Sequence, residues 1–173
     1  VGAFGIACYY MPFLFMIGNA VAQSAQPIIS YNFGADRPGR VAAAQQIALA
    51  TAVGCGLSVA AAFVAVPREL VAFFLDPQDE AARIAIGGFP VFAAGFVSFI
   101  VNLAAIGYYQ SLERVRPTTA FALLRGFLFL VPSFVLLPQW LGTPGIWLAM
   151  PLSETLTLLA IGGYALRKRL SRR

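Results

Sequence analysis

The chain is 173 residues long, 60% hydrophobic and only 11% charged, with a net charge of +5 and no histidine. Soluble domains carry about 45–50% apolar and about 25% charged residues, so a water-soluble fold is excluded and an all-α, polytopic transmembrane bundle is indicated. The basic balance is not a nucleic-acid footprint: five of the twelve Lys and Arg residues form the tail Arg167, Lys168, Arg169, Arg172 and Arg173, the usual cytoplasmic stop beside anionic lipid after an apolar run.

The chain opens Val1-Gly2-Ala3-Phe4 with neither Met nor a basic leader, so the first apolar run reads as a spanning helix entered mid-protein, and the chain as a fragment. Five apolar runs follow, at about 4–33, 41–66, 83–109, 117–137 and 146–165, each near or above the ~20 residues that cross the hydrocarbon. None alternates with period two, so helices are expected and not barrel strands. At the breaks, Gly34 is placed to take a left-handed helix end and Asp36 to cap the next helix. Pro67, Pro77, Pro117, Pro138 and Pro144 stand in or beside loops.

Run one carries the most informative pattern. At ~100° per residue, Asn19, Gln23, Gln26 and Ser30 share an arc of roughly 60° on one helical face. Pro27 has no N–H and frees the carbonyl of Gln23 beside that stripe. A row of amides and hydroxyls at membrane depth must face a wet cavity or partner helices, and four groups plus a freed carbonyl exceed what one helix contact needs.

Run two is rich in Ala and Gly, which predicts a closely packed helix turned away from lipid. The amphipathic piece Pro67–Asp76 is expected to lie along the interface. Run three repeats the polar face with Ser98, Asn102 and Tyr109; interhelical hydrogen bonding and a substrate wall account for it equally. Cys8 and Cys55 lie in apolar runs without metal-ligand spacing and read as packing residues. Phe33, Tyr31, Tyr108, Tyr109, Trp140 and Trp147, near predicted helix ends, read as interfacial anchors. Intramembrane prolines at 12, 27, 90, 132 and 151 permit bends.

With the tail cytoplasmic, five crossings place the loops at 34–40 and 111–116 inside. Nine basic residues then lie inside and only Arg68 and Arg83 outside. Two charges fall within the membrane: Arg125, roughly 12 Å from the inner end of run four, and Glu154, near 17 Å deep in run five. A short loop joins these runs, so they are expected to be antiparallel neighbours. An ionisable group at that depth costs ~2.5–3.5 kcal/mol or more and needs a partner or a role. Glu154 is therefore read either as a proton or cation site or as the partner of Arg125 in a bridge that pins two helices.

The string Gln23-Ser24-Ala25-Gln26-Pro27-Ile28-Ile29-Ser30-Tyr31-Asn32-Phe33-Gly34-Ala35 resembles the end of the eighth helix in transporters of the multidrug and toxic compound extrusion (MATE) family. Tyr109-Gln110-Ser111 with a basic loop and Pro117 is similar to the exit of helix ten, Arg125 with Pro132 and Leu137-Pro138 to helix eleven, and Gly145-Ile146-Trp147-Leu148-Ala149-Met150-Pro151 with Ser153-Glu154 to the start of helix twelve. The resemblance implies helices eight to twelve of a carboxy-terminal lobe, over residues 1–173, with the amino-terminal lobe of the same protein as partner and both ends of the full protein cytoplasmic. It implies a plasma (inner) membrane antiporter that exports organic, often cationic drugs or toxins as two lobes rock about a central cavity, driven by protons or sodium and using no cofactor. Sodium-coupled relatives carry carboxylates on helices seven and ten; here helix ten has Asn102 and no acid, which leaves the proton favoured.

The candidate substrate-cavity residues are thus Asn19, Gln23, Gln26, Ser30, Ser98 and Asn102, and the candidate coupling or pairing residues are Glu154 and Arg125. No metal set and no nucleic-acid site is expected. A flippase of lipid-linked saccharides would show more intramembrane cations than Arg125 alone. A membrane enzyme would need clustered acids or a His/Cys pair that the chain lacks. A scaffold without transport does not call for a polar stripe at mid-depth. A lobe without its first helix is not expected to transport by itself.

Overall fold

The computed structural model describes residues 2–76 and 78–171; Val1, Pro77, Arg172 and Arg173 lie outside them. Helices follow each apolar run: α1 (Gly2–Gly34), α2 (Pro38–Ala65), the short α3 (Pro67–Ala72), α4 (Glu80–Ala93), α5 (Phe96–Ser111), α6 (Val115–Leu123), α7 (Leu130–Leu141) and α8 (Thr143–Leu170). A six-residue π-helical segment, Leu124–Phe129, joins α6 to α7. Four stretches are long and apolar enough to cross a membrane, and five when α4 and α5, bent by 47°, count as one broken span. The chain is an all-α, polytopic bundle.

The bend has local causes. Pro90 withholds an N–H inside α4, and Ala94 and Gly95 fall back on i→i−3 bonds to Val91 (3.3 Å) and Phe92 (3.2 Å) before the regular ladder resumes at Phe99. Gly95 also lets the backbone close on α8, since a Cβ there would meet Met150 Sδ at 2.7 Å and Pro151 Cα at 2.8 Å.

The central helix is α5, which packs on α1, α2 and α8. Small residues set the approaches: Gly18 of α1 lies under Leu103, Gly107 of α5 would place a Cβ 2.9 Å from Ala22 Cβ, and Gly56 of α2 would place one 2.7 Å from Val97 Cα. The expectation that α2 is wholly packed is corrected. It buries one stripe, Val41, Ala48, Ala52, Gly56 and Phe63, while Ile47, Leu57 and Val64 stay exposed. A helix with one neighbouring layer needs small residues on one face only.

At one end of the bundle, Phe63 stacks on Phe89 (4.9 Å) and meets Phe96 edge-on (4.8 Å), while Phe4 packs edge-on against Trp147 (5.3 Å) and Phe92 (5.8 Å). Gly88 lies directly against the Trp147 indole. Trp147 and Tyr109, expected at the interface, are instead buried, whereas Trp140 and Tyr31 are exposed. The Tyr10 hydroxyl donates to the Leu70 carbonyl at 2.8 Å and ties α3 to α1.

The basic loops collect at the other end. Gly34 does not end α1 in a left-handed conformation, as the sequence suggests. Asp36 does, with φ 50°, and Glu113 does the same after α5, with φ 56°. Each is followed by an Arg whose N–H closes a six-residue loop, Arg37 to Asn32 (2.9 Å) and Arg114 to Tyr109 (3.0 Å). Asp36 is therefore a helix stop and does not cap α2, whose N-cap, Arg37, makes no side-chain capping bond.

Candidate functional site

Arg125 and Glu154 come together across the π segment and α8. Arg125 Nε donates to both carboxylate oxygens of Glu154, at 2.9 Å to Oε1 and 3.0 Å to Oε2. This is the one ion pair among the described residues. The Arg125 guanidinium lies 4.3 Å from the centroid of the Phe99 ring, a cation–π contact that softens its removal from water.

Asn102 of α5 completes the cluster. Its Nδ2 donates to Glu154 Oε2 at 2.8 Å and to the Glu154 backbone carbonyl at 2.9 Å. Asn102 is fully buried and Glu154 is 3% exposed. Asn102 Oδ1 has no donor among the described residues, an unmet acceptor worth about 1–3 kcal/mol. Two donor groups, Arg125 Nε and Asn102 Nδ2, serve the Glu154 carboxylate and backbone carbonyl, and the amide oxygen is left out.

Local sequence explains why the three meet. Arg125 sits inside the π segment, a widened turn that ends three residues before Pro132, where the ladder is already interrupted for want of an N–H. In α8, Pro151 interrupts the ladder three residues before Glu154, and the neighbouring hydroxyls turn back on their own helix: Ser153 to Met150 (3.0 Å), Thr155 to Pro151 (2.7 Å) and Thr157 to Ser153 (2.9 Å). Glu154 is left as the polar group of α8 that reaches across to α5 and the π segment.

The pair borders a cleft of about 530 Å³ whose α1 wall is Cys8, Met11, Pro12 and Phe15. Both Arg125 bonds use Nε; among the described residues its terminal Nη groups make none, and the side chain is 15% exposed. None of Asn19, Gln23, Gln26 and Ser30 lines this cleft. They continue its α1 wall: at ~100° per residue, positions 8, 12, 15, 19, 23, 26 and 30 fall within about 80°. Gln23 is exposed and Asn19 half-buried. Gln26 lies half-buried near Gly107, and Ser30 donates to the Ser111 carbonyl of α5 at 3.1 Å. Ser98 is half-buried with no side-chain hydrogen bond among the described residues.

Sequence reasoning missed the apolar wall and Phe99, because nothing marks a cleft-lining Phe apart from a core one. The register running from Gln23 back to Cys8 is the signal that could have found the wall. A separate groove of about 590 Å³ runs between α1 and α2 among alanines, with Ser24, Asn32, Arg40 and Thr51 at its edges. No group of three or more Cys, Asp or Glu side chains converges among the described residues.

Comparison with curated proteins and with solved structures returns no match. The family model MatE matches residues 1–136, which takes in α1 to α6, the π segment, most of α7 and two of the three cluster residues, Asn102 and Arg125. Over that span the chain belongs to the MatE family of membrane transporters.

Proposed function

We propose that the protein of which this chain forms helices eight to twelve is a secondary active antiporter. It exports organic, cationic drugs or toxic compounds in exchange for protons or sodium by alternating access, with the Arg125–Glu154–Asn102 cluster as part of the coupling machinery. The observation that carries this reading is the buried Glu154 carboxylate, shared between Arg125 and Asn102 at the edge of a cleft, with an amide oxygen nearby that has no donor among the described residues. A buried carboxylate beside an acceptor with no donor is an arrangement that a proton or a small cation would complete, and the cleft alongside connects it to the α1 face. Binding an ion there weakens the hold of Glu154 on Arg125 and so couples ion occupancy to the packing of α8 against the π segment.

In this reading Asn19, Gln23 and Gln26 form the polar continuation of the cleft wall, completed by the amino-terminal lobe. The basic loops and the α8 terminus face the cytoplasm across the inner membrane. The test uses the full-length protein in proteoliposomes, with ethidium efflux followed under separately imposed proton and sodium gradients. Efflux is expected under one of the two, and Glu154→Gln is expected to lower it at least tenfold while the protein remains monodisperse. Response to neither gradient, or an unaltered rate in Glu154→Gln, overturns the reading.

A further inference from the structure

Three cations meet at the basic end of the bundle with no carboxylate at ion-pair distance among the described residues. Arg114 comes from the turn after α5, and Lys168 and Arg169 from the last turn of α8; together they line a recess of about 240 Å³ with Tyr108 and Tyr109. No carboxylate oxygen among the described residues lies within 4 Å of any of them. Glu113 lines a neighbouring recess that shares Arg114 and Lys168 with this one and adds Arg116, so three cations face one carboxylate there, and Glu113 does not line the recess between the tyrosines.

The backbone and the aromatic wall beneath these cations are held in place. The Arg114 N–H is fixed on the Tyr109 carbonyl at 3.0 Å. Tyr109 is buried against Phe121 (5.4 Å) and Tyr164 (5.7 Å), a block that joins α5, α6 and α8. Lys168 Nζ lies 5.8 Å from the Tyr164 ring centroid. Holding like charges on so firm a support raises the energy of the empty site, and an anion lowers it.

The geometry points to a binding site for the phosphate group of an anionic membrane lipid, gripped by Arg114, Lys168 and Arg169, with the Tyr108 and Tyr109 rings against the glycerol end. The position fits that occupant. The recess lies at the ends of two spanning segments, where a headgroup sits, and aromatic rings beside cations are suited to that boundary. A lipid held there would bridge α5 to α8, the two helices that supply Asn102 and Glu154. The proposal does not depend on any transport activity.

The test is native mass spectrometry of the full-length protein titrated with phosphatidylglycerol or phosphatidylcholine of matched chains. Phosphatidylglycerol is expected to be retained preferentially. Each of Arg114→Gln and Lys168→Gln is expected to weaken its retention about fivefold, the worth of one cation near a lipid surface. The charge-matched single-site controls Arg68→Gln and Arg83→Gln, at exposed positions outside the recess, are each expected to leave retention unchanged, and Arg114→Lys to keep part of it. Equal retention of the two lipids overturns the site, as does a control variant that loses as much as the site variants. Displacement of the lipid by millimolar inorganic phosphate also overturns the lipid assignment and identifies a free-phosphate site.

Discussion

Two neighbouring stretches of α8 pack by different rules. Around Trp147 the partners are Phe4, Phe89 and Phe92, with Gly88 pressed on the indole; about two turns further on, around Glu154, they are an arginine, an amide with an unmet oxygen, and an open cleft. In a bilayer, where acyl chains are as apolar as side chains, the first region is held by shape alone and tolerates no gap. The second is held by directional bonds between charged and polar groups. Packing by shape and packing by directional bonds thus lie within two turns of each other on one helix.

The strongest way to break the comparison is to remove one charge. Arg125→Met leaves Glu154 buried without its cation and is expected to cost about 3–5 kcal/mol. Thermal unfolding in detergent would show this as a fall of some 6–20 °C at ~2–4 °C per kcal/mol. The double variant Arg125→Met/Glu154→Leu is expected to recover most of that loss; failure to recover would mean that the pair holds the fold and is not a replaceable polar device. Trp147→Ala comes next, at about 3 kcal/mol from the cavity it opens. No second substitution at Glu154 is expected to rescue it in the same assay.

Smaller effects sharpen the picture. Gly88→Ala, which forces a methyl into the Trp147 ring, is expected to cost about 1–3 kcal/mol. Glu113→Gly relieves a left-handed residue whose strain is ~1–2 kcal/mol, offset by the freedom glycine gives the unfolded chain, and is expected to raise stability by about 0.5–1 kcal/mol. Ser30→Ala removes a single interhelical bond to Ser111 and is expected to cost about 0.6 kcal/mol. A loss several times larger, read from the same melts, would make the stripe a structural seam.

Much of the fold was legible because hydrophobic length is a property of the chain. A run of twenty apolar residues must satisfy its own backbone in lipid, so the five spans and their loops follow from Phe4 to Ala165 without reference to neighbours. Three features were not legible. The break at Ala94–Gly95 needs Gly95 to meet Pro151, the π segment places Arg125 by the fit of its turn, and the positive φ falls on Asp36 where Gly34 was available. Each depends on what packs opposite.

The candidate site divides in the same way. Arg125 and Glu154 stood out because an unaccompanied charge in an apolar run is costly wherever it lies, and the short connection between their runs limited the choice of partner. That Asn102 joins them, that its oxygen is left without a donor, and that the cleft wall is Cys8 to Phe15 while Asn19 to Ser30 lie further along, were decided by tertiary structure alone. One helix face looks the same to the sequence along its whole length; only the position and tilt of the neighbouring helices select which part of it borders the cleft.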